Sequence, residues 1–464
     1  MKIKLAKCLV LKYALLAALL ASLISPLSAQ ALTPGSEEVI LNLLKDRVDG
    51  GQSVGMIVGV LDSGEVKFVC YGKTGVRDAA AVDEKTIFEI GSTSKVFTSL
   101  LLADAVERGE LKFDDTLADS YAGDGHKITG EAGLITLKNL ATQTSGLPRM
   151  PDNFKPKNPT DPYVDYSAKD LYACVESVKL NNPPGKKYDY SNLGVGLLGA
   201  ILESKLKSGY EKLVIERICK KLDMPDTFVD VPKDMLPRFS NGHIGIAETP
   251  HWNITALAGA GALRSTALDI IKFLRAQMDP PKDAFGRAIE KTHEISAPTG
   301  SPNLSIALGW HVFDKFGGRY YWHNGGTGGF RSFMGFDQAA KRAVVVLSNS
   351  SLDITDDIGM HILNSEFKLK AVKKPVVIDY KIYDEYVGEY ELAPGAIMTV
   401  TRDGDKLFAR LSGQDKFQIF PESPARFFYT VVEAEIEFTK GVDNKTASLT
   451  LFQAGRKMPA KKIK

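Results

Sequence analysis

The sequence predicts an α/β protein: a five-stranded antiparallel sheet flanked by helices, a helical region set into the middle of the chain, and a small antiparallel β-barrel at the C-terminal end. Three observations carry this. Two apolar runs near the start, 54–61 and 65–71, are joined by the turn Asp62-Ser63-Gly64, and matching runs recur at 330–336 and 343–348. Between them the chain is dominated by helical periodicity and long loops. After a basic stretch at 368–375 the pattern changes to period-two alternation, with Ala434, Ile436 and Phe438 against Glu435, Glu437 and Thr439, and Ala447, Leu449 and Leu451 against Ser448 and Thr450. At 464 residues the chain is too long for one core, and its composition is that of an ordinary globular protein.

The first element is a leader. Lys2, Lys4, Lys7 and Lys12 precede an apolar stretch from Ala14 to Ile24, then Pro26 and the small-residue pattern Ala29-Gln30-Ala31. This predicts a secretory signal peptide over 1–31, cleaved after Ala31. The apolar stretch is short for a membrane span. Cys8 lies before it, so it is not a lipid-attachment cysteine. No later segment is long and apolar enough to cross a bilayer, so no stable membrane insertion is expected after cleavage. Without the leader, 54 basic side chains face 56 acidic ones, a balance that gives no sign of nucleic-acid binding. Cys70, Cys174 and Cys219 remain, an odd number, and are expected as small apolar groups rather than a disulfide framework.

Ser92-Thr93-Ser94-Lys95 comes next, where Gly91 separates an apolar stretch from a helical one. Val96, Phe97, Leu100, Leu101 and Val106 follow near helical spacing. Ser92 therefore falls at the first turn of a buried helix running to about residue 108, with the Lys95 amine on the same face. A serine hydroxyl becomes a useful nucleophile when something takes its proton, and a desolvated lysine can do so. Ser-x-x-Lys by itself is weak: Ser204 and Ser365 also begin one, both in charged, surface-like sequence.

Tyr190-Ser191-Asn192 follows the turn Pro184-Gly185 and opens an apolar helix, Leu193 to Leu202; it is the sole Tyr-x-Asn among 16 tyrosines. Tyr190 is either a core ring with a wet hydroxyl or a proton carrier beside the serine. Asn192 can hydrogen-bond both the lysine and a substrate carbonyl. The stretch Thr266-Ala267-Leu268-Asp269 reads as a capping box opening a helix through Leu274. Finally His323-Asn324-Gly325-Gly326-Thr327-Gly328-Gly329 is backbone that must approach something closely, either a bulged hairpin or a strand edge offering N–H groups.

In this order, Ser-x-x-Lys, Tyr-x-Asn and a His-x-Gly strand resemble the class C β-lactamases and the related penicillin-binding DD-peptidases, D-aminopeptidases and esterases. The resemblance also covers Ile135-Thr136-Leu137-Lys138-Asn139-Leu140 through Thr144-Ser145-Gly146-Leu147-Pro148, and Gly259-Ala260-Gly261-Ala262-Leu263-Arg264, spanning residues 35 to 365. It implies a β-lactamase/transpeptidase-like fold over 32–367, with the site in the cleft between sheet and helical region. It further implies Ser92 as the acylated nucleophile, Lys95 and Tyr190 as its activating pair, and Asn192, His323, Asn324, Gly325 and Gly326 as substrate-binding positions. The oxyanion hole would be the backbone N–H groups of Ser92 and Gly326. Residues 368–379 form a linker, and 380–464 is similar to the lipocalin-like domain appended to some members.

One departure stands out. His323-Asn324 occupies the place where class C enzymes carry Lys-Thr, which replaces a fixed charge by a group that is mostly neutral at pH 7. Arg331 is the expected substitute charge. The expectation is thus an exported, periplasmic or secreted monomeric serine hydrolase acting on β-lactams or D-alanyl peptides. A carboxylesterase on the same scaffold is the nearest alternative, and a non-catalytic cell-wall sensor the alternative of another class. No cofactor is expected: the seven histidines show no metal spacing, no phosphate loop follows a strand, and no Gly-x-Ser-x-Gly elbow is present.

Overall fold

The computed structural model describes residues 35–77, 79–120, 128–414 and 416–464. The leader expected at 1–31 lies outside these residues.

The central sheet runs in the order 65–72, 55–62, 342–348, 331–337, 318–326, 311–315, 304–307, 296–298, with every neighbouring pair antiparallel. The first five are the strands read from the sequence, built from both ends of the domain. Three more extend the sheet to eight. Their segment is punctuated by Pro298, Gly300, Pro302 and Gly309, which reads as loop and hides strands of three to five residues.

Both faces of the sheet are covered, so its central strands are apolar without a break. Val58, Val60, Phe333, Val344 and Val346 pack with Ile40, Leu44, Ile358 and Ile362 from the terminal helices Glu37–Asp49 and Asp356–Leu363. Their strand neighbours Ile57, Leu61, Met334, Phe336, Val345 and Leu347 belong to the opposite core, with Phe97, Leu101, Ile270 and Leu274. Alternation of side chains along each strand sends one set to each layer.

Helix Ser94–Glu107 is buried at every position from Ser94 to Ala105 rather than along one stripe. It is enclosed by other helices, among them Ala284–Glu294, Ala258–Gly261 and Asn192–Leu206, as an all-round apolar helix must be. Helix Ala267–Met278 is one turn longer than expected. Thr266 caps it by accepting from Asp269 N at 3.1 Å, but the Asp269 carboxylate does not return the bond. It accepts instead from Asp226 N (2.8 Å) and Thr227 Oγ1 (2.9 Å), so a local signature is spent on a tertiary contact.

Residues 388–462 close into an eight-stranded antiparallel barrel. Ala434, Ile436, Phe438, Leu449 and Leu451 fill it with Tyr390, Phe427 and Ile419. Ala447, read from the alternation as an inward residue, is exposed, and Thr446 is buried in its place. The register shifts between Thr439 and Lys440, and such a bulge inverts the faces beyond it. The basic stretch before the barrel is strapped down. Lys370 N donates to Asp357 Oδ2 (2.7 Å), a carboxylate that also accepts from Arg47, and Val376 N donates to Pro421 O (2.9 Å).

Cys70, Cys174 and Cys219 are free thiols; Cys174 and Cys219 are buried and Cys70 partly so. Burial pushes the Cys70 and Cys219 thiols up to about 12, which leaves them protonated and inert. Among the described residues no helix is long and apolar enough to cross a membrane.

Candidate active site

Ser92 sits in a short 3-10 turn, Gly91–Thr93, that leads directly into helix Ser94–Glu107. The turn is held from both sides. Ser94 Oγ donates to Gly91 O (2.7 Å) and accepts from Leu263 N (3.1 Å), while Ile90 N donates to Leu263 O (3.0 Å). Lys95 is one helical turn on and fully buried. Its Nζ lies 3.1 Å from Ser92 Oγ, 2.9 Å from Asn192 Oδ1 and 2.6 Å from Ala260 O, so a neutral amine can donate to the two carbonyl oxygens and keep its lone pair toward the serine hydroxyl.

Tyr190 and Asn192 arrive at this amine from the start of helix Asn192–Leu206. Ser191 caps that helix at Gly194 N and donates to Pro148 O (2.6 Å); Ser191 N donates to Gln143 Oε1 (2.7 Å). The Tyr-x-Asn loop is therefore pinned to segment 143–149. The Tyr190 side chain faces Ser92, which acts to lower its pKa, and its ring centroid lies 4.9 Å from Lys95 Nζ.

The motif strand, Gly318–Gly326, closes the cluster. At 323–326 it pairs with 331–334 on one side only, and its other edge meets the serine turn. Ser332 Oγ donates to Ile90 O (2.7 Å), and a side chain at Gly325 would overlap that carbonyl. Gly91 and Gly326 touch backbone to backbone. His323 is buried and turns its Nδ1 to Asn324 O (2.6 Å). The Asn324 amide donates to Asp356 Oδ2 (2.5 Å) at the start of the last helix of the sheet domain.

Burial governs the charges here. It holds the Lys95 amine well below the usual ammonium range, helped by Arg149, so the amine is available as a base. Burial raises the Tyr190 phenol, opposed by Ser92 and by Arg149. His323 is driven well below the usual imidazole value by burial, then by His311 and Lys95; His311 itself falls to about 4. Both rings are neutral at pH 7, as expected from the sequence for His323. Asp356 is raised to about 7 by burial and by Asp353.

Every residue singled out from the sequence lies in this one cluster, whereas Ser204 and Ser365 are exposed, away from it. Arg331 covers Gly326, with Asp353 and Asp356 acting on its charge. Three participants were not read from the sequence. Ala260 contributes only a carbonyl, which carries no side-chain signal. Asp356 looks like any first-turn acid of a helix. Arg149 directly follows the segment ending at Pro148 and places its guanidinium carbon 5.1 Å from the Tyr190 ring centroid. Among the described residues no group of His, Cys, Asp and Glu is arranged to hold a metal ion.

An antiparallel sheet whose Gly-rich strand flanks a buried helix opening on Ser-x-x-Lys is the architecture of the β-lactamase/transpeptidase-like serine hydrolases. The family model described as Beta-lactamase matches residues 40–366, and the chain belongs to that family. A second model, Domain of unknown function (DUF3471), matches residues 372–462, the barrel. Penicillin-binding protein 4* of Bacillus subtilis (strain 168) is 25% identical over 424 residues, covering 85% of this chain and 91% of that protein. Protein flp of Staphylococcus aureus (strain COL) is 25% identical over 365 residues, covering 76% and 68%. Among solved structures, a Beta-Lactamase/D-Alanine Carboxypeptidase from Pseudomonas syringae superposes with a TM-score of 0.62 at 19% identity, covering 72% of this chain and 99% of that one. A class C beta-lactamase mutant gives 0.62 at 23%, covering 71% and 99%.

Proposed function

We propose that the protein is an exported serine hydrolase that forms an acyl-enzyme on Ser92 with β-lactams or D-alanyl peptides. The carrying observation is the Ser92 hydroxyl, which lies 3.1 Å from a fully buried lysine amine and beside the Tyr190 phenol. Ser92 Oγ attacks the substrate carbonyl, and its proton passes to Lys95 and Tyr190 acting as one coupled pair. The backbone N–H groups of Ser92 and Gly326 receive the developing oxyanion. Tyr190 returns the proton to the leaving group, and the same pair draws a proton from the water that releases the acyl group. Asn192 steers the substrate amide, and the strand end at 325–326 beside the serine turn aligns an extended substrate. The leader composition supports export to the periplasm or the medium.

A second reading, a carboxylesterase, is favoured by the neutral His323 and by Asp356 beside Asn324, where a carboxylate-bearing substrate would meet a cation in class C enzymes. Incubation with a labelled penicillin, followed over time, tests both. Persistent label on Ser92 indicates a penicillin-binding peptidase, and rapid release of ring-opened product a β-lactamase. Absence of label together with fast ester cleavage, lost in Ser92→Ala, indicates the esterase. Absence of label and of any Ser92-dependent hydrolysis rejects the acyl-enzyme.

A further inference from the structure

We propose that Arg149 is a positioning residue for the proton-transfer pair: its guanidinium, set on the face of Tyr190, supplies the fixed positive charge that His323 does not provide. This rests on the reading that Lys95 and Tyr190 activate Ser92. The guanidinium carbon is 5.1 Å from the Tyr190 ring centroid, and Lys95 Nζ is 4.9 Å from the same centroid. The Arg149 backbone is anchored to the element that carries Tyr190 and Asn192: its carbonyl accepts from Asn192 N (2.9 Å) and Leu193 N (3.3 Å). The preceding carbonyl, Pro148 O, accepts from Ser191 Oγ. The arginine is thus fixed relative to the phenol by backbone bonds, although its side chain is exposed.

The groups facing Tyr190 are Ser92 and Lys95 from the serine turn and helix, Arg149 and Tyr163 from the 143–166 segment, Tyr188 from its own loop, and His323 from the motif strand. None is a carboxylate, and Asp189, next along the chain, accepts from Asn181 Nδ2 (3.0 Å). Burial keeps Tyr163 and Tyr188 protonated and His323 uncharged. Arg149 is the member that brings a guanidinium to the ring. Arg331 sits differently, because Asp353 and Asp356 offset its charge. A cation over the phenol favours phenolate over phenol and disfavours a second proton on the lysine, so both effects enlarge the reactive fraction.

The test is the pH dependence of Ser92 phosphonylation by a fluorophosphonate, with full-length parent, Arg149→Gln and Arg149→Lys. The acid limb is expected to move to higher pH by about 0.5–2 pH units in Arg149→Gln, the range that Coulomb's law gives for a screened charge near 5 Å. Arg149→Lys should restore most of the shift, and 1 M salt should shrink the parent-to-Gln difference. An unmoved limb, or a rise in the concentration needed for half-saturation with no change in profile, overturns the proposal. If Ser92 does not react in the parent, the proposed function fails by itself. Ultraviolet difference titration of parent against Tyr190→Phe then decides the Arg149 question: phenolate onset must move up in Arg149→Gln, and no movement overturns it.

Discussion

Gly91 and Gly326 meet backbone to backbone: a Cβ at Gly91 would lie 2.7 Å from Gly326 N and 2.9 Å from Gly326 O. Gly91 also holds φ at +51°, in the left-handed region. One contact therefore sets both the start of the helix that follows Ser92 and the distance of Ser92 from the strand edge. Gly91→Ala adds strain and a clash, and is expected to destabilise the protein by about 1–3 kcal/mol. It should slow Ser92 phosphonylation far more than that loss of folded protein explains. Urea unfolding and single-turnover labelling on the same samples check this, and an equal rate in fully folded variant would contradict it.

Lys95→Met keeps the length of a buried side chain and deletes the amine that touches Ser92, Asn192 and Ala260. Acylation should fall by about 10²–10⁴-fold, the span of a lost general base. Lys95→Arg should not rescue it, because a guanidinium stays protonated. Rates within tenfold of the parent in the Met variant would remove lysine from the mechanism.

Arg331→Ala bears on the substitute charge expected from the sequence. If Arg331 serves a substrate carboxylate, kcat/KM falls for carboxylate-bearing substrates and is retained for their methyl esters or amides. Equal kcat/KM for parent and variant on the carboxylate substrate ends that role, and Asp353 and Asp356 beside the guanidinium supply the physical reason.

Asp356→Asn tests the raised carboxyl. Its folded value, about 7, lies above that of an unfolded aspartate, so the native state holds the extra proton. Stability therefore declines as pH rises from about 4 to 7, where the folded carboxyl must ionise. The Asn variant lacks this decline, so its Tm relative to the parent should climb across that window and level off above it. A constant difference from pH 4 to 8 would show that Asp356 ionises normally.

The barrel core and the sheet-domain cores share no residue, and the three tryptophans, Trp252, Trp310 and Trp322, all lie in the sheet domain. Phe427→Ala empties the middle of the barrel at a cost of about 3–5 kcal/mol. The far-ultraviolet circular dichroism transition should split or fall, while the tryptophan fluorescence transition holds its midpoint. Coincident loss of both signals would mean that the two units unfold as one.

Much of the site was legible because its chemistry sits on side chains with local spacing. Ser92 and Lys95 are one helical turn apart, Tyr190 and Asn192 flank a cap, and His323 through Gly326 announce a close backbone approach. The three extra strands at 296–315 escaped because Pro and Gly punctuate them and each is only three to five residues long. The inward face of the 446–453 strand was misread at Ala447 because a bulge, invisible in alternation, inverts it. The Asp269 carboxylate left its expected cap for Asp226 and Thr227, contacts more than forty positions away.

Residue order by itself determined the elements and the reactive groups, since periodicity, caps and turn residues act over a few positions. Only the tertiary structure decided protonation and reach. The Lys95 amine and the His323 imidazole are lowered because surrounding segments exclude water from them, and Arg149 lies on the tyrosine because its backbone is pinned to the Tyr190 loop. Desolvation and through-space charge depend on every neighbour at once, and neighbours are set by packing rather than by sequence distance.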